Sequence, residues 1–104
     1  MGKTVSIPVS PPLKGHHGQI DHVIVREPTF DEFLQYGDPF VYLPLSEGTL
    51  FRSDNTEVLA AYADVLVEEP KDKLLLRQGG LKLAREIRYA VLSFFLPAAE
   101  AKEV

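Results

Sequence analysis

The apolar residues of this chain change from strand to helical spacing at Pro28. That change constrains the fold more than any other feature, because strands and helices bury different spacings. Before Pro28, Val5, Ile7 and Val9 alternate with Thr4, Ser6 and Pro8, the period of a half-buried strand. Pro8 has no N–H to give a ladder, which predicts an edge strand. Ser10-Pro11-Pro12 is expected to end it, and Lys14-Gly15-His16-His17-Gly18 reads as a turn or loop. Residues 20–26, rich in β-branched side chains, read as a second strand. The pair predicts an antiparallel hairpin with a longish connection.

After Pro28 the spacing is helical. Thr29-Phe30-Asp31-Glu32 has capping-box spacing, in which a Thr hydroxyl and a Glu carboxylate satisfy orphan N–H groups reciprocally. Phe30, Phe33 and Leu34 follow on one face, and Gly37-Asp38-Pro39 ends the helix. Residues 40–52 fit a second small hairpin and an irregular loop equally well. Asp54 or Asn55 caps a helix expected to run to about Glu69, with Val58, Leu59, Tyr62, Val65 and Leu66 on one arc. A short helical piece over 71–78 carries Leu74, Leu75 and Leu76 and is broken by Gly79-Gly80. The last helix, from about Leu81 to Leu96, turns Leu83, Ala84, Ile87, Ala90, Val91, Phe94 and Phe95 inward. The expected architecture is α+β: an N-terminal antiparallel β-hairpin packed with three to four helices. Residues 1–97 form one domain, and residues 98–104 read as a flexible tail.

Composition narrows the function. The 104-residue chain has no cysteine, which excludes disulfide and thiolate chemistry. Its net charge of -4 and lack of a basic tract argue against nucleic-acid binding, which draws its affinity from phosphate neutralisation. No apolar run approaches the roughly 20 residues that span a bilayer, and the first residues lack an apolar signal core.

Candidate chemistry is sparse. His16, His17 and His22, with Asp21, could supply metal ligands or a metal-dependent enzyme, but adjacent histidines in a strand point apart and no second cluster adds ligands. The serines lack a glycine-flanked elbow, and the paired acids Asp31/Glu32 and Glu68/Glu69 fall on the polar faces of predicted helices. Gly79-Gly80 lacks the spaced glycines of a phosphate loop. Residues 54–69 carry five acids and no base, whereas residues 71–88 carry six bases and two acids. This pattern fits pairing between antiparallel helices better than a basic strip for an acidic partner. Leu81, Leu92 and Leu96 fall off the main apolar arc of the last helix, and Phe40, Tyr42, Leu50 and Phe51 lack an evident buried face. Apolar surplus of this kind marks a protein-binding surface when the core does not absorb it.

The run Val23-Ile24-Val25-Arg26-Glu27-Pro28-Thr29, followed by a short helix to Gly37-Asp38-Pro39, resembles the opening of the small tail assembly chaperones of contractile-tailed phages and prophages. In that family a hairpin runs into an Arg-Glu-Pro-Thr joint and then into helices. Leu74-Leu75-Leu76 and Ala90-Val91-Leu92-Ser93-Phe94-Phe95 are similar to the family's leucine-rich segment and Phe-rich final turn. The resemblance covers most of the chain outside residues 40–52. It implies a protein without catalytic activity or cofactor that coats the tape-measure protein before the tail tube polymerises. The tail tube protein is a second implied partner, self-association is compatible with the role, and the site of action is the cytoplasm of the bacterial host. It further implies that Arg26, Glu27, Pro28 and Thr29 fix the strand-to-helix joint, with Phe30, Phe33, Leu92 and Phe95 as candidate partner contacts. The alternative class is a small adaptor or regulatory domain, antitoxin-like or inhibitor-like, built on the same elements.

Overall fold

A computed structural model of the chain describes residues 3–96. The fold is α+β. Strands β1 (Thr4–Gly15) and β2 (Gly18–Arg26) form an N-terminal antiparallel hairpin. Helix α1 (Phe30–Tyr36) follows, then a second hairpin of β3 (Phe40–Pro44) and β4 (Leu50–Asp54) around a 3-10 turn at Ser46–Gly48. Helix α2 (Thr56–Leu66), strand β5 (Val67–Glu69), helix α3 (Lys73–Arg77) and helix α4 (Gly80–Ser93) complete the described chain. The expected flexible tail, residues 98–104, lies outside the described residues.

The first hairpin differs from its expected form at both ends of its connection. Strand β1 continues through Ser10-Pro11-Pro12, and the turn shrinks to His16-His17 between Gly15 and Gly18. The prolines are tolerated because β1 is an edge strand in the order β1-β2-β5. The bond from the Glu27 N–H to the Lys3 carbonyl (2.9 Å) sets the alternation that turns Thr4, Ser6 and Pro8 away from β2. Pro8 therefore removes no ladder bond. The register then shifts between Pro8 and Leu13, absorbing the remaining prolines in a bulge.

The helix expected to reach Glu69 stops at Leu66, and Val67–Glu69 pairs antiparallel with β2. The apolar arc of α2 has already ended here, with Val67 opposite it and Glu69 within it. The open second edge of β2, distant in sequence, takes up the stretch as a strand, and pairing there also buries Val67.

Residues 40–54 resolve as a hairpin in the register Phe40↔Asp54, Tyr42↔Arg52 and Pro44↔Leu50. Arg52 bonds Asp54 (3.0 Å) and its guanidinium sits 6.0 Å from the Phe40 ring centroid. Asn55 caps α2 by accepting from the Glu57 and Val58 N–H groups.

The core lies between the three-stranded sheet and helices α2 and α4. It holds Ile7, Leu13, Val23 and Val25 from the sheet, Leu59, Tyr62 and Leu66 from α2, and Leu83, Ile87, Ala90, Val91 and Leu92 from α4. No polar or charged residue among those described is fully buried. The acid-rich and base-rich segments do pair: Asp64 with Lys73, and Asp54 with Arg88 at 3.9 Å. No helix among the described residues is long and apolar enough to cross a membrane.

Candidate partner-binding site: an apolar helix on an ion-paired joint

The joint is assembled around Arg26, the last residue of β2. Its Nη1 and Nη2 donate to the two carboxylate oxygens of Glu32 at 2.8 and 2.7 Å, a bidentate pair across the strand-to-helix turn. Nη2 also donates to the Val65 carbonyl near the end of α2 (3.2 Å), and Nη1 to the Glu27 carbonyl (3.2 Å). Glu68 approaches from the far side at 3.8 Å. One guanidinium thus ties β2, α1 and the C-terminal end of α2 together.

Glu32 serves two structures at once. Its Oε1 accepts the Thr29 N–H (2.9 Å), while the Glu32 N–H donates to the Thr29 hydroxyl (3.2 Å), completing the capping box read from the sequence. The Arg26 hydrogen bonds, opposed by partial burial and aided by the Thr29 N–H, pull its carboxyl down from 4.5 to about 2. The same pair raises Arg26 above its ordinary value. Glu27 anchors the other end by accepting from the Lys3 N–H (3.2 Å). Pro28 keeps Glu27 extended, so the chain cannot enter the helix early.

Helix α1 buries none of its seven residues fully, yet it is held in place. Phe33 and Tyr36 turn inward to an aromatic cluster: Phe33 lies 6.2 Å from Phe95, and Tyr36 and Phe95 each lie 5.2 Å from Tyr62, centroid to centroid. The Tyr62 hydroxyl donates to the Gly37 carbonyl at 2.6 Å, fixing the helix end. Burial, with the Asp38 carboxylate nearby, pushes that hydroxyl's pKa up. Phe30 and Leu34, four residues apart on the outward face, are 78% and 66% exposed. The joint and the cluster therefore present two large apolar side chains to solvent on a fixed helix.

The four expected contact residues separate. Phe30 is displayed, and Phe33 is half on the surface and half in the cluster at 39% exposure. Phe95 is partly buried beneath Phe33. Leu92 is 1% exposed and belongs to the core, so it cannot meet a partner in this fold. It lies off the wheel's main arc yet is buried, and Leu96 is buried with it. Leu81 alone of that trio stays exposed. Leu34, outside the expected set, joins Phe30 on the exposed face, as their spacing of four signals.

The histidines and Asp21 lie on the surface. Asp21 pairs with His22 (Oδ1–Nδ1 2.8 Å) on an exposed strand surface, which lowers the Asp21 pKa. Among the described residues no three His, Asp or Glu side chains gather closely enough to hold a metal ion. His16 and His17 occupy the exposed turn of the first hairpin. Comparisons with protein-family models, with curated proteins and with solved structures returned no match, so the functional reading rests on the chain's own residues and geometry.

Proposed function

We propose that this chain is a non-enzymatic tail assembly chaperone that binds the tape-measure protein in the host cytoplasm before the tail tube polymerises. One observation carries the reading. Helix α1 exposes Phe30 and Leu34 while a bidentate ion pair, a capping box and an aromatic cluster hold it rigid. A helix that buries no residue fully gains little stability by being apolar, so its apolar face is explained by a partner. The joint that fixes it is the segment carrying the family resemblance.

The magnitudes suit a temporary coat. Burying a Phe and a Leu contributes about 3–6 kcal/mol gross, and association entropy takes back much of it. A single contact is then weak. Many copies along one long helical tape-measure chain hold through avidity, and each is displaced when tube subunits arrive.

The test is co-expression with the tape-measure protein of the same genome. The wild-type chain is expected to co-purify with it, and Phe30→Ser/Leu34→Ser to lose the complex while keeping its own thermal transition. Wild-type protein that recovers no tape-measure protein, but does recover a toxin or regulator encoded beside it, would replace this reading with the adaptor class.

A further inference from the structure

Helix α1 lies in a stretch of one charge sign. From Glu27 to Phe51 the chain carries five acids, Glu27, Asp31, Glu32, Asp38 and Glu47, and no base. The bases that flank the stretch are already engaged. Arg26 holds both carboxylate oxygens of Glu32, and Arg52 holds Asp54. Glu32 thus has its counter-charge, whereas other acids of the stretch do not. Asp31 and Asp38 are exposed and pair with no cation among the described residues, and the Glu27 carboxylate meets the backbone N–H of Lys3.

Two of these acids border the apolar face. Asp31 follows Phe30 and stands three positions before Leu34, so its carboxylate flanks that pair on the helix surface. Asp38 stands four positions beyond Leu34, just past the Gly37 cap. Two leucines elsewhere have the opposite surroundings. Leu74 and Leu81, 68% and 67% exposed, stand beside Lys73 and Lys82, and Arg85 is one helical turn from Leu81. The molecule therefore presents one apolar surface edged by acids and another edged by bases.

A partner that covers Phe30 and Leu34 also meets Asp31 and Asp38. A purely apolar partner would desolvate those carboxylates without a counter-charge, which costs binding energy. An acidic helix or an anionic lipid surface would be repelled. The base-edged face of α4 on a second copy has a suitable charge, but that contact is head-to-tail. It leaves another α1 open at each step and propagates into a filament.

We propose that α1 takes a cationic amphipathic helix of a separate chain. Its apolar stripe lies on Phe30 and Leu34, and Lys or Arg residues on its margin face Asp31 and Asp38. The inference rests on α1 being the partner-binding face, and it names the chemistry of the tape-measure segments that the face would coat.

Amide NMR on the isotope-labelled intact chain tests it. The probes are three peptides of about 15 residues that share one leucine stripe and carry Lys, Gln or Glu at the other positions. The Lys peptide is expected to shift the amides of residues 29–38 to saturation, and the Glu peptide to leave them unmoved. Two exposed ion pairs together give a preference of about 2- to 30-fold for Lys over Gln at low salt. Phe30→Ser/Leu34→Ser should remove the shifts. Asp31→Asn/Asp38→Asn should erase the preference, whereas Glu57→Gln/Glu69→Gln, the same charge change at exposed sites on α2 and β5, should keep it. Equal affinity for the Lys and Gln peptides, a preference that survives Asp31→Asn/Asp38→Asn, or Lys-peptide shifts confined to other residues overturns the proposal. Shifts in α1 and α4 that grow with the concentration of the chain alone would overturn it in favour of a second copy. If Asp31→Asn loosens the start of α1, Asp38→Asn and the peptide comparison on the wild type decide. Recovery of the tape-measure protein is a separate result. Recovery without a Lys preference leaves the proposed function standing, and a Lys preference without recovery removes that function but not the charge selectivity of the face.

Discussion

Replacing Glu32 with glutamine removes one charge from the joint while keeping its shape and a side chain able to complete the capping box. In the wild type the carboxyl is held at about 2 instead of its ordinary 4.5. A group depressed in the folded state stabilises the fold above its unfolded pKa and loses that contribution as pH falls through the folded one. Taken at face value the difference is equivalent to about 3 kcal/mol at neutral pH. The Glu32 and Arg26 side chains keep 19% and 27% of their surface in solvent, which lowers the expectation to ~1–2 kcal/mol. In a domain of this size that is a fall of about 5–15 °C in Tm. Urea unfolding of wild type and Glu32→Gln at pH 7, 4 and 2.5 measures it. The gap should be full and flat above pH 5, shrink as pH falls from 4.5 towards 2, and stand at about a quarter of its full size at pH 2.5. A gap of the same size at pH 7 and pH 2.5 would show that packing, not charge, carries the effect. A gap below ~0.3 kcal/mol at pH 7 would refute the claim that the pair organises the joint.

Two further substitutions separate core from surface. Leu92→Ala should cost ~2–5 kcal/mol in chemical denaturation, as for other buried leucines, whereas Phe30→Ala should change stability by no more than ~0.5 kcal/mol. Comparable costs at the two positions would contradict the burial that distinguishes them. Tyr62→Phe deletes the hydrogen bond to the Gly37 carbonyl and should cost ~1–1.5 kcal/mol, with faster amide exchange at the C-terminal end of α1. Unchanged exchange there would mean that the aromatic cluster holds the helix without the hydroxyl.

Much of the candidate site is written locally. Thr29 and Glu32 stand three residues apart, and that spacing alone specifies the cap that the structure contains. Phe30 and Leu34 stand four apart, which places them on one helical face whatever surrounds them. The acid-rich and base-rich segments likewise announce their pairing, realised in Asp64 with Lys73 and Asp54 with Arg88. The clamp on the joint was less legible. Arg26 to Glu32 is a short span, but the Val65 carbonyl that also receives the guanidinium is 39 positions away.

Strand β5 and the burial of Leu92 both depend on distant neighbours. Residues 67–69 leave the helical pattern, but only the open edge of β2 makes them a strand. Leu92 looks surplus on a helical wheel yet is buried, because a wheel does not say which elements surround the helix. In the same way, Pro11 and Pro12 signal an end to β1 that the edge position makes unnecessary.

The sequence by itself determined the class of the fold, the change from strand to helix at Pro28, the caps and the apolar faces of the helices. These follow from short-range spacing and the fixed geometry of backbone and proline. Only the tertiary structure decided which apolar side chains the core absorbs and which it leaves out. That choice depends on which surfaces each element meets, which sequence spacing does not encode, and it leaves Phe30 and Leu34 of helix α1 exposed.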